Sequence, residues 1–133
     1  MNTTAAAAGG EFLLGGDLRV NRLALGGSVR DPEAGIAALR RATELGVNHI
    51  DTAGFYGLGD LRAHELIREA LSPYPDDLVI ATKVGPLLEG GIMPTGQATA
   101  DQLCGLVEGD LRRLGQDRLD LVYLRVGGMG GAG

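Results

Sequence analysis

The chain has 133 residues, a formal net charge of −5 and 23 glycines, a length ordinary for one domain and sufficient to bury a core. Its twelve basic residues stand singly or in pairs such as Arg40-Arg41 and Arg112-Arg113, so no basic stripe tracks a phosphate backbone and no nucleic-acid partner is expected. No apolar run approaches the ~20 residues of a membrane helix, and the start, MNTTAAAAGGEF, lacks the basic and apolar regions of an export signal; a soluble, cytoplasmic protein without membrane contact is expected.

Residues 1–11 are polar and alanine-rich and read as a disordered N-terminus. FLLGGDLRV then shows two short apolar runs around Gly15-Gly16-Asp17, the signal of a β-hairpin, and NRLALGG reads as a short buried strand. Asp31-Pro32 opens a helix, with the acid placed to cap it and proline at the first helical position. Ile36, Leu39, Ala42, Thr43 and Leu45 form its apolar stripe up to the stop at Gly46. A second strand is predicted over Val47–Ala53.

From Leu61 to Leu71 the apolar residues Ala63, Leu66, Ile67, Ala70 and Leu71 keep helical spacing, and the prolines of SPYPDD end that helix. LVIATKVG is the third buried strand. Between Thr99 and Leu114 the positions Leu103, Leu106, Val107, Leu111 and Leu114 again mark a helix, despite the cost of about 1 kcal/mol each for Gly105 and Gly109. RLDLVYLRV is the fourth strand. Such alternation of strand and helix predicts an α/β fold with right-handed βαβ units on a parallel sheet, whose strands are apolar throughout because both faces are covered.

Side chains alternate along a strand, so His49 and Asp51 share one face of the second strand, Val79, Ala81 and Lys83 one face of the third, and Leu121, Tyr123 and Arg125 one face of the fourth. Each strand therefore brings an ionisable residue to its C-terminal end, where parallel α/β folds bind ligands. Asp51, Lys83, Arg125 and the nearby Tyr56 are the candidate site. A structural ion pair between Asp51 and Lys83 is the plain alternative, but buried pairs contribute little net stability. A free phenol is a poor acid or base at neutrality, and an adjacent ammonium favours its ionised form. Lys83 is placed to act so on Tyr56, with Asp51 holding the lysine. His49, one step deeper, reads as a hydrogen-bonded core residue and His64 as a surface residue. With two histidines not at metal-ligand spacing, no metal site is expected. Cys104, the only cysteine, reads as a small buried hydrophobe on a helix.

The segments GVNHIDTAGFYG, IREALSPYPDDLVIATKVG and LRRLGQDRLDLVYLR together resemble the N-terminal half of an aldo-keto reductase. The resemblance runs from about Phe12 to Gly128. It implies the N-terminal half of a (β/α)8 TIM barrel, with an N-terminal β-hairpin, about four parallel strands and three helices over residues 12–126, followed by a Gly-rich tail at 127–133. It further implies NADPH-dependent reduction of a small-molecule carbonyl substrate, with Tyr56 matching the general acid and Asp51 and Lys83 the pair that tunes it. Most of the family carries a histidine where this chain has Arg125, which stays protonated and can orient or polarise a carbonyl but not exchange a proton. NHIDTAGFYG, IREALSPYPDD and a fourth strand ending in LR most resemble the bacterial pyridoxal reductase branch, in which arginine also occupies this site, so a pyridoxal-type aldehyde is the expected substrate.

A full barrel takes about 250 residues, and the sequence stops inside the loop after the fourth strand. Most cofactor-binding positions are expected in the other half, no GxGxxG fingerprint replaces them, and the open sheet edges predict self-association. The alternative is a non-catalytic truncated fragment or interaction module that keeps the rim residues by descent.

Overall fold

The computed structural model describes residues 4–26, 31–58, 60–88 and 94–126. The tail at 127–133, expected as a truncated loop, lies outside the described residues. Residues 4–10, expected to be disordered, instead form a 3₁₀ turn at Ala7–Gly9. Ala6 is buried, and its N–H bonds to the carbonyl of Leu45 at 3.0 Å. A short alanine side chain close behind a helix end can fill a gap that composition alone does not reveal.

Strands β1 (Glu11–Leu14) and β2 (Leu18–Asn21) form the predicted hairpin. Its turn uses positive φ at both Gly15 and Gly16 (61° and 91°), a conformation costly for any residue with a Cβ. Asn48 fastens this hairpin to the N-terminal end of the main sheet, accepting from the Asn21 N–H at 2.7 Å and donating to the Arg19 carbonyl at 3.2 Å.

After β3 (Leu25–Gly26) comes α1 (Pro32–Glu44), which begins as its sequence requires: Asp31 accepts from the Ala34 N–H at 3.1 Å, and Pro32 stands in the first turn. Strand β4 (His49–Asp51) is shorter than predicted, because the chain turns at Ala53, whose carbonyl accepts from the Tyr56 N–H at 3.0 Å. The two-residue strands β5 (Gly57–Leu58) and β6 (Leu61–Arg62) then pair antiparallel and lead into α2 (Ala63–Leu71). Strand β7 (Val79–Val84) is followed by a second small hairpin, β8 (Pro86–Leu87) with β9 (Gly96–Gln97). Neither of these hairpins was predicted, since two residues are too few to show a period. Helix α3 (Ala100–Leu114) starts with a capping box between Thr99 and Gln102 and stops at Gly115, left-handed at φ 69°. Strand β10 (Leu121–Leu124) completes the described chain.

The main sheet has the order β10-β7-β4-β3, parallel throughout, with Asp51 opposite Ala81 and Tyr123 opposite Lys83. Even-numbered residues such as Ile50 and Ile80 face the helices and form the core with Leu39, Ile67, Leu71, Leu78 and Leu114. Odd-numbered residues up to Asp51 and Lys83 face the opposite side, where the predicted alternation placed them.

Two residues lie elsewhere than expected. Cys104 is exposed, not buried, because the stripe that α3 turns inward runs through Leu103, Leu106, Asp110 and Leu114, and Cys104 is a helical step of about 100° off it. His64 is buried, not on the surface, because α2 turns Ala63, His64, Ile67 and Leu71 inward together and polar partners await the ring there.

Candidate active site

The C-terminal ends of β4 and β7 meet side by side, and Lys83 joins them. Its Nζ donates to Asp51 Oδ1 at 2.7 Å and to the carbonyl of Thr52 at 3.0 Å. Asp51 remains nearly half exposed while Lys83 is mostly covered, so the pair straddles the boundary between protein and solvent, where it adds little stability.

Tyr56 arrives from the turn beyond β4. The Tyr56 N–H bonds back to Ala53, and the Tyr56 carbonyl accepts from the Ala63 N–H at 3.1 Å, so both ends of the turn are tied. Tyr56 packs against the cluster of Ala63 and Leu66, and its ring lies beneath the lysine, with Nζ 4.8 Å from the ring centre, a cation–π distance. The structure thus brings Asp51, Lys83 and Tyr56 together.

Arg125 stands just past β10, its backbone N–H bonded to the Val84 carbonyl at 2.8 Å. The guanidinium lies over Phe55, 5.5 Å from the ring centre, and Phe55 meets Tyr56 edge to face at 5.2 Å. Arg125 therefore borders the tyrosine across one aromatic ring. Gly85, at φ 128°, lets this corner close: a Cβ there would come within 2.2 Å of the Arg125 carbonyl. Phe55, almost fully buried, was not singled out in the sequence, where nothing but its place beside Tyr56 marked it.

His49 is half-buried, and its Nε2 has no hydrogen-bond partner among the described residues. Burial holds the imidazole below its usual range, against the smaller raising effect of Asp51.

Behind these residues, on the helix side of the sheet, lies a second polar group that sequence reasoning missed. Thr82 donates to Asp110 Oδ2 at 2.9 Å and lies 3.4 Å from His64 Nε2. His64 Nδ1 is 3.4 Å from Asp110 Oδ1 without hydrogen-bond alignment. All three side chains are buried. A signal was present in the sequence: Asp110 stands on the apolar stripe of α3, four residues from both Leu106 and Leu114. Among the described residues no group of three His, Cys, Asp or Glu could hold a metal ion, and no helix is long and apolar enough to cross a membrane.

Comparison with known proteins assigns the chain to a family. A model of the Aldo/keto reductase family matches residues 21–126, and the chain belongs to that family. It is 42% identical over 121 residues to pyridoxine 4-dehydrogenase of Escherichia coli K12, covering 84% of this chain and 42% of that protein. To L-glyceraldehyde 3-phosphate reductase of the same organism it is 35% identical over 115 residues, covering 80% and 33%. The holo form of an aldo-keto reductase from Bacillus halodurans superposes with a TM-score of 0.73 at 31% identity, covering 86% of this chain and 39% of that one. The chain thus spans less than half the length of these relatives. Among the described residues the fold is α/β, with the N-terminal hairpin, a four-stranded parallel sheet and three α-helices, and the likeness to these structures is consistent with part of a TIM barrel.

Proposed function

We propose that this chain supplies the proton-donating side of a cytoplasmic, NADPH-dependent aldo-keto reductase site that reduces an aldehyde or ketone to the alcohol, with a pyridoxal-type aldehyde as substrate. One observation carries the reading. Lys83 is held by Asp51 at 2.7 Å and over the Tyr56 ring at 4.8 Å, at the C-terminal mouth of a parallel sheet. The similarity to pyridoxine 4-dehydrogenase and Arg125 at the end of β10 support the choice of substrate.

In this proposal Tyr56 gives its proton to the carbonyl oxygen as the carbon accepts a hydride, which the nicotinamide supplies when bound. The Lys83 ammonium stands over the ring of the tyrosine that gives up the proton, Asp51 keeps that ammonium in place, and the Arg125 guanidinium polarises the carbonyl. The described residues fit the carbonyl end of the reaction but not the whole cofactor. The cleft beside Lys83, walled by Gly54, Phe55, Leu106 and Asp110 among others, has a volume of about 190 Å³, short of the roughly 300–1,000 Å³ of ordinary ligand pockets. We place the cradle for NADPH in the part of the barrel that the remaining length of these relatives would supply.

An NADPH fluorescence titration with a pyridoxal absorbance assay tests this reading. The 133-residue chain alone is expected to neither bind the cofactor measurably nor turn over substrate. Supplying strands five to eight of a relative, fused or co-expressed, is expected to restore turnover, which Tyr56→Phe then lowers by about 10²–10⁴-fold. Activity that survives in the Tyr56→Phe form of the completed barrel overturns the role given to Tyr56.

The exposed residues of β10 favour one further reading. Val122, Tyr123 and Leu124 lie open along an edge strand, and such an edge invites pairing; we propose that the chain self-associates through it.

A further inference from the structure

The buried group of His64, Thr82 and Asp110 takes no part in the chemistry proposed above, yet each of its members adjoins one of the parts that chemistry needs. Thr82 precedes Lys83 on β7. His64 follows Ala63, whose N–H holds the Tyr56 carbonyl at 3.1 Å. Asp110 lies against the start of the tyrosine turn: a Cβ on Gly54 would sit 2.5 Å from Asp110 Oδ1, so the backbone there approaches the carboxyl as only glycine allows.

The three side chains come from three elements, β7, α2 and α3, and the Thr82 hydroxyl is where they meet, at 2.9 Å from Asp110 and 3.4 Å from His64. Polar groups buried this deeply lose their contacts with water, so they hold one arrangement strongly when partnered and are costly when not. A buried polar group of this kind fixes direction, which apolar contacts do poorly.

We propose that His64, Thr82 and Asp110 are positioning residues that set the register of the Tyr56 turn against Lys83. Moving β7 relative to α2 changes the distance between the ammonium and the ring, because Lys83 stands on β7 and the Tyr56 turn is tied to the start of α2 through the Ala63 N–H. Since a misplacement of about 1 Å can cost on the order of a hundredfold in rate, a rigid tie directly behind the rim has a function that a surface contact could not serve. The proposal rests on Tyr56 and Lys83 being the reacting pair, but the contact between them is measured without turnover, so a failure of the catalytic reading and a failure of this one are separate results.

The test uses the full chain in solution by NMR. The Lys83 ε-methylene protons, carried beside the Nζ over the Tyr56 ring, should resonate upfield through the ring current, and Tyr56→Leu provides the value without a ring. Thr82→Val keeps the shape and removes the hydroxyl. It is expected to move the Lys83 resonance at least halfway toward the Tyr56→Leu value and to speed amide exchange at Tyr56 and Ala63 by about tenfold or more. Thr82→Ser, which restores the hydroxyl, is expected to bring both readings back. Asp110→Leu, which removes the acceptor in a similar volume, should act in the same direction and serves if Thr82→Val fails to fold. A folded Thr82→Val or Asp110→Leu variant that loses thermal stability while keeping the native Lys83 resonance overturns the proposal, because a merely structural tie would behave in that way.

Discussion

Strands β7 and β10 pair along four residues, Leu121 beside Ala81 through Leu124 beside Val84, and both sequences read as buried strands. Their surroundings differ. β7 lies between β4 and β10 with α3 packed over it, and all its residues but Lys83 are buried. β10 is an edge, and Leu124 on its helix-facing side is 60% exposed. Apolar sequence therefore states what a strand can cover itself with, not whether the cover is present. It also separates the site into two kinds of support: Lys83 stands on a strand clamped from both sides, whereas Arg125 stands at the end of one clamped from a single side.

This contrast can be broken by substitution. Ile80→Ala, at a position 1% exposed and among the helices, is expected to cost about 2–5 kcal/mol in urea unfolding; a cost below 1 kcal/mol would mean that the covered strand is no better packed than the edge.

A smaller effect tests the covered side by pH. Burial pushes the Tyr74 phenol up to about 12, with Arg68 pulling the other way, and its hydroxyl donates to the Leu114 carbonyl at the end of α3. A phenol that ionises less readily when folded than its usual 10.0 stabilises the fold below that pH, and the contribution is lost as pH rises toward about 12. Urea midpoints across this range should fall in the native chain and fall less in Tyr74→Phe; equal slopes would show that Tyr74 is open to water.

Asp31→Ala removes the side-chain cap of α1 and should cost about 1 kcal/mol, measured by the same unfolding. No loss would place the start of α1 among the weakly held parts of the molecule, like the edge strand.

The smallest stability effect is expected at Leu124. Leu124→Lys should change the stability of the dilute chain by less than about 0.5 kcal/mol, yet weaken the self-association expected by sedimentation at micromolar concentration. A large loss of stability in the dilute chain would show that something already covers this strand, and a native chain that sediments as a monomer would remove the proposed self-association.

Much of the molecule was legible in its sequence because the signals are local. Asp31-Pro32 announces a helix start through a bond that spans three residues, Gly15-Gly16 a turn, and the apolar runs of β4, β7 and β10 a parallel sheet. Alternation along those strands likewise placed Asp51 and Lys83 on one face at one end, and the specific run from Val47 to Gly57 carried the family likeness. What the sequence could not decide is what lies opposite each side chain. His64 reads as surface until α3 brings Asp110 and β7 brings Thr82 against it, and Cys104 reads as core until the phase of α3 turns it to solvent. The placing of Arg125 over Phe55 depends on how β10 ends beside Gly85. The exposure of β10 depends on which neighbours are present, which the strand's own residues do not encode. Local bonding and period belong to the chain alone; burial and polar partnership are properties of pairs of elements far apart in sequence, so the tertiary structure decided them.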